Sequence, residues 1–211
     1  MPLTQPDPGV LRKAQRGDER AFTLIVRAYE TPVYNYVVRL IGGDRVLAED
    51  LTQEVFLRVF QGLPKFSLRS KFTTWLFQVT KNRVLDELRA NERRPRFSVA
   101  LDDIPPLEVV DAPMENVEAM DAVWRSVGNL TPDLKMALLL RDVVGLSYTE
   151  IADSLEITLA TVKWRIYKAR EEVQLALARE GITFGEELAV AEAAAAPVAA
   201  AAPITAPLQA L

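Results

Sequence analysis

The chain has 211 residues, 49% of them hydrophobic, and neither cysteine nor histidine. That absence excludes a disulfide-stapled secreted scaffold, a thiol nucleophile, a Cys/His zinc site and a histidine general base, and it fits a reducing cytoplasm. The net charge of −4 counts against a nucleic-acid binder, but seven acids and no base lie between Leu101 and Asp121, whereas four bases and no acid lie between Leu159 and Arg170, so local basic faces can still grip phosphates.

The opening MPLTQPDPGV has no basic stretch and no apolar core, so it does not read as a signal peptide. The periodic segments that follow all read as helix, and none alternates like a strand. A short helix around Val10 to Arg16 stops at Gly17. A second spans about Glu19 to Leu40, with a kink or break at Thr31-Pro32, and ends at Gly42-Gly43. Asp44 can cap a third helix, which runs to about Gln61 and stops at Gly62-Leu63-Pro64. After a polar loop, Lys65 to Ser70, a long helix covers about Phe72 to Arg93, with Phe72, Trp75, Leu76 and Val79 on one face.

Residues 96–116 read as a flexible acidic linker, with Pro105, Pro106 and Pro113. Helical spacing resumes at Val117, Met120, Val123, Trp124 and Val127. Thr131-Pro132 is a cap followed by a tolerated first-turn proline, and that helix ends before Gly145. Ser147 and Glu150 have capping-box spacing and start a short helix to about Ser154; Thr158 caps a last one to about Glu180. The tail, 182–211, is rich in alanine and proline and reads as disordered. Pro197, Pro203 and Pro207 interrupt its longest uncharged stretch, so no membrane insertion is expected.

Two stretches carry candidate chemistry. Ser147 to Glu172 is short helix, turn, longer helix, the outline of a helix-turn-helix. Ile151, Leu155, Ile157, Val162 and Ile166 form its shared core. Ala160, Thr161, Lys163, Trp164, Arg165 and Lys168 face outward, with small residues allowing close approach and bases reaching phosphates or guanine edges. A helical hairpin with a solvated basic face fits the same pattern. The long helix from Phe72 mixes aromatics with Lys71, Lys81, Asn82, Arg83, Arg89, Arg93 and Arg94. Aromatic faces beside a basic track suit single-stranded DNA; composition alone fits a core Trp75 and Phe72 under a solvated face at least as well.

Three strings bear a family resemblance. AEDLTQEVFLRVF (Ala48 to Phe60) resembles the polymerase-binding helix of sigma region two. KFTTWLFQVTKNRVLDELRANERRP (Lys71 to Pro95) resembles the melting and −10-recognition segment of that region. LTPDLKMALLLRDVVGLSYTEIADSLEITLATVKWRIYKAR (Leu130 to Arg170) is similar to sigma region four. In this order, with a short linker between them, they resemble the small extracytoplasmic-function (ECF) sigma factors of the sigma-70 family.

The resemblance implies an all-α fold of two small helical domains, within 1–95 and 117–181, and a binding role with no enzymatic step. Asp50, Gln53, Glu54, Leu57 and Arg58 would dock on the clamp of the largest subunit of core RNA polymerase, over a core of Leu51, Val55 and Val59; the second domain would meet the flap of the second subunit. The loop from Lys65 would capture a base flipped from the −10 strand, with Phe66, Lys71, Trp75 and Asn82 as its walls. Lys81, Arg83, Arg89, Arg93 and Arg94 would follow the phosphates. The helix-turn-helix would read the −35 element as duplex. An anti-sigma factor is an expected partner, the free chain is expected to be a cytoplasmic monomer, and no cofactor or metal is implied.

Glu156 and Trp164 depart from the family pattern, which commonly has glycine and a small polar residue there. If the turn needs a left-handed backbone, Glu156 carries a strain of roughly 1 kcal/mol. A stand-alone helix-turn-helix regulator, usually a dimer on a palindrome, would explain only the carboxy-terminal half. A nucleic-acid enzyme lacks support, with no phosphate-binding glycine loop. A sigma-like protein that merely sequesters polymerase stays open.

Overall fold

The computed structural model describes residues 3–92 and 117–182. The Arg93 and Arg94 assignments, the acidic linker and the alanine-rich tail fall outside the described residues. Among the described residues there are eight α-helices, one 3-10 turn and no strand.

The helix starts follow local chemistry. Asp7, Asp18 and Asp44 cap α1 (Pro8–Gln15), α2 (Glu19–Leu40) and α3 (Arg45–Gly62), each side chain accepting from backbone N–H groups of the first turn. α2 runs through Pro32 without a break. A 3-10 turn, Leu63–Lys65, leads to α4 (Phe72–Glu92). Leu51, Val55 and Val59 of α3 are fully buried, and α4 packs against α3 and α2. Gly62 suits a close approach, since a Cβ there would lie 3.1 Å from the Trp75 ring and press on it.

In the second half, α5 (Val117–Gly128) and α6 (Pro132–Asp142) pack on α8 (Leu159–Arg179), and α7 (Tyr148–Leu155) bridges α6 and α8. Ser147 and Glu150 form the capping box of α7, and Thr158 caps α8.

The two halves are not separate bodies on a string. α7 packs along α4, α6 packs against α2, and the buried side chains form one continuous core. α6 is buried at every position from Leu134 to Leu140. Such all-round burial needs neighbours on opposite sides, which α8 and α2 supply. Even Lys135 is buried, donating from Nζ to the Gly128 carbonyl at 2.7 Å, with its pKa lowered by burial.

Candidate nucleic-acid interface

The outer face of α3 is open. Val46, Asp50, Gln53, Leu57 and Phe60 recur at helical spacing, and all are exposed. Val46 and Phe60, together with Leu24 of α2, are exposed apolar residues that were not singled out by sequence reasoning, because each alone is an unremarkable surface hydrophobe. Glu54 and Arg58 lie toward α4 instead. Glu54 pairs with Arg83, and Arg58 pairs with Asp86 at 3.3 Å. The hydrogen bond from Arg83, with its charge, holds the Glu54 carboxyl below the usual range.

The α4 candidates divide into three groups. Phe66 lies in the core, stacked on Trp75 with ring centroids 4.8 Å apart, and both pack near Phe72. Phe66 is therefore the support on which Trp75 rests; Trp75 itself is half-buried. Arg83 is mostly buried between Glu54 and Glu87, and it ties α4 to α3. Asn82 and Arg89 are exposed, Arg89 lying 3.9 Å from Asp86. Lys71 and Lys81 reach across to the other half: Lys71 pairs with Glu150 at 3.1 Å and Lys81 with Glu156 at 2.9 Å.

The helix-turn-helix has Ile151, Leu155, Val162 and Ile166 buried, with Ile157 packed against them. Ala160, Lys163 and Trp164 are exposed, and Thr161 is half-buried beside Thr158. The basic run is less basic in space than along the chain. Arg165 is bound by Asp133 at 2.5 Å, Arg170 by Asp142 at 2.7 Å, and Lys168 by Glu171 at 2.6 Å. Lys163 is the base of that run with no ion pair among the described residues. Glu156 has φ 60° and ψ 42°, the left-handed conformation that the turn demands. It is the one non-glycine with positive φ among the described residues.

Residues 25–94 match the family model of sigma-70 region 2, and residues 120–173 match that of sigma-70 region 4. The RNA polymerase sigma-H factor of Pseudomonas aeruginosa is 34% identical over 186 residues, covering 83% of this chain and 96% of the relative. The ECF RNA polymerase sigma-E factor of Escherichia coli is 33% identical over 181 residues, covering 79% and 92%. The chain belongs to the sigma-70 family, in its ECF branch. Two solved structures share the fold of this sigma factor. CnrH, in complex with the cytosolic domain of CnrY, superposes with a TM-score of 0.63 at 22% identity, covering 81% of this chain and 96% of that one. The sigma factor RpoE of Bartonella quintana, in complex with the anti-sigma factor NepR, gives 0.61 at 21% identity, covering 74% and 96%.

The sigma factor's two matched regions fall one in each half of the fold. Region 2 covers most of α2 and all of α3 and α4, and region 4 covers most of α5 to α8. No described helix is long and apolar enough to cross a membrane. The described residues contain no cluster of acids that could hold a metal.

Proposed function

We propose that this sigma factor divides its work between the two halves. Within residues 1–95, α3 holds core RNA polymerase through Asp50, Gln53, Leu57 and the adjoining Val46 and Phe60, with Glu54 and Arg58 at the edge toward α4. The loop from Lys65 and the α4 residues Lys71, Trp75, Lys81, Asn82 and Arg89 hold the melted −10 strand. Phe66 acts from beneath, by fixing the Trp75 ring. Arg83 acts by fixing α4 to α3. Within residues 117–181, Ala160, Thr161, Lys163 and Trp164 of α8 meet the −35 duplex, with Arg165 and Lys168 reaching phosphates after exchanging their carboxylate partners. The chain supplies no catalytic group; the polymerase makes RNA. The protein acts in the cytoplasm, is a monomer when free, and takes an anti-sigma factor as partner, in line with the complexes named for its structural neighbours.

The observation that carries this reading is that both sigma regions lie in one chain, each presenting a helix face that its own core does not use. Neither small domain binds DNA tightly alone; joining both to one polymerase raises the effective concentration of each. Run-off transcription with bacterial core polymerase on a library of genomic fragments tests it. Discrete start sites that require the protein, and that weaken with Leu57→Asp, Trp75→Ala or Lys163→Ala, are expected. No transcript, with the chain binding duplex alone as a dimer, would favour a stand-alone regulator.

A further inference from the structure

Part of the surface proposed for the −10 strand, around Lys81, is covered by the protein itself. α7 lies along α4. Ser154 is fully buried, and its hydroxyl donates to the Thr74 carbonyl at 3.1 Å. Thr74 is buried as well, whereas the neighbouring Thr73 is held by Gln5 of the N-terminal segment. Lys81 retains 8% exposure at its side chain, and its ammonium is taken up by Glu156. Lys71 meets Glu150, the same carboxylate that caps α7. A carboxylate at each end of α7 thus sits where a DNA phosphate would have to come.

We propose that this arrangement is a self-masked form of the protein, in which the helix-turn-helix covers the −10 face of α4 and Glu156 is the latch that must release before that face can take DNA. The inference rests on the −10 role assigned to α4. Glu156 stands in a left-handed turn that suits glycine, where the side chain adds strain. A glutamate in that place is accounted for by what its carboxylate reaches, which is Lys81 on the other half. The hydrogen bond from Lys81 and its charge also hold the Glu156 carboxyl below the usual range.

The seam is built to open as well as to close. Arg39, at the end of α2, is buried with its guanidinium 3.4 Å from the ring centre of Trp124 in α5. Its Nε and Nη1, and the Trp124 Nε1, are buried without a hydrogen-bond partner. Buried polar groups left unpaired oppose burial, and Arg39 has its pKa lowered to about 10 by loss of water. Separation of the halves returns these groups to solvent. The masked form is thus held by apolar packing, the contact of Arg39 with the Trp124 ring and the latch, and opposed by the unpaired polar atoms inside it.

The test uses the full chain, which has no cysteine of its own. Spin labels on Arg12→Cys and Gln174→Cys, both exposed and one in each half, report the distance between the halves. Binding of a short random-sequence single-stranded DNA pool reports access to α4. Glu156→Gln is compared with Asp153→Asn, an exposed neighbour with no ion pair among the described residues. Glu156→Lys, which faces Lys81 with like charge, is a stronger second variant for the distance measurement. One narrow distance is expected in the parent and in Asp153→Asn, and a broader, longer one in both Glu156 variants. Single-strand affinity of Glu156→Gln is expected to rise about threefold over Asp153→Asn, in keeping with a half-exposed ion pair. Unchanged distances and affinities in the Glu156 variants would overturn the latch and leave the −10 assignment standing. Opened distances with unchanged single-strand binding would overturn the masking together with the assignment of that face to DNA.

Discussion

The two DNA faces proposed for this sigma factor are in opposite conditions. On α8, Lys163 and Trp164 stand in solvent, with Trp164 57% exposed. On α4, Lys81 is buried against the helix-turn-helix. The same motif therefore presents one face through its second helix and closes the other through its first. A small motif has few surfaces, and α7 needs a neighbour for Ser154 that α8 does not provide. The outer face of α3, proposed for polymerase, shares the open condition of α8. On this proposal the masked form can still meet polymerase and duplex, while single-strand capture waits for the halves to part.

Several changes would break or sharpen that contrast. The largest effect is expected from Ile166→Ala, which empties a buried site shared by α7 and α8. It should cost about 3 kcal/mol by chemical denaturation, and amide exchange in α4 should accelerate as its cover loosens. Unchanged exchange in α4 would mean that α7 does not protect it. Trp124→Ala removes the ring against Arg39, an interaction of up to about 2 kcal/mol when desolvated. It should open the seam while each half stays helical, so circular dichroism should hold and the spin-label distance should lengthen.

A smaller and more discriminating effect concerns salt. Lys163→Ala should reduce the slope of log affinity against log salt for duplex DNA by about 0.9, the loss of one phosphate contact. Lys81→Ala should leave that slope unchanged in the free chain. Equal slope changes would mean that both lysines are equally available.

The smallest effect is on acid stability. Pairing with Arg83 lowers the Glu54 pKa in the folded state. Its stabilising contribution is present above the unfolded glutamate value of about 4.3 and is lost as pH falls through the folded value. Glu54→Gln should therefore lower the urea midpoint slightly at neutral pH and flatten its decline as the pH falls below about 4.3. A parallel decline in parent and variant would assign acid sensitivity elsewhere.

Most of the fold was legible because its signals are local. Ser147 with Glu150, and Thr158, mark helix starts within a residue or two, since a cap acts on its own first turn; Thr131 stands at the start of α6 without a side-chain cap bond, and the signal there is Pro132 in the first turn. The cores of α3 and of the helix-turn-helix follow from spacing alone. The contacts between halves were not legible, because Arg39 with Trp124 and Lys81 with Glu156 join residues far apart along the chain. Arg165 and Arg170 looked unopposed for the same reason: their acids, Asp133 and Asp142, sit on α6. One signal of docking was present. Leu134–Leu140 and Tyr36–Leu40 each hold buried residues on every side of the helix, and a helix apolar all round must be covered on both faces.

The most direct test is the reactivity of individual lysines in the free, full-length protein, measured by acetylation and mass spectrometry. Lys81 should acetylate at least about tenfold more slowly than Lys163, in line with a mostly buried, ion-paired ammonium, and the gap should narrow in Trp124→Ala. Equal rates for Lys81 and Lys163 in the parent protein would contradict the account, because the α4 face would then be as open as that of α8.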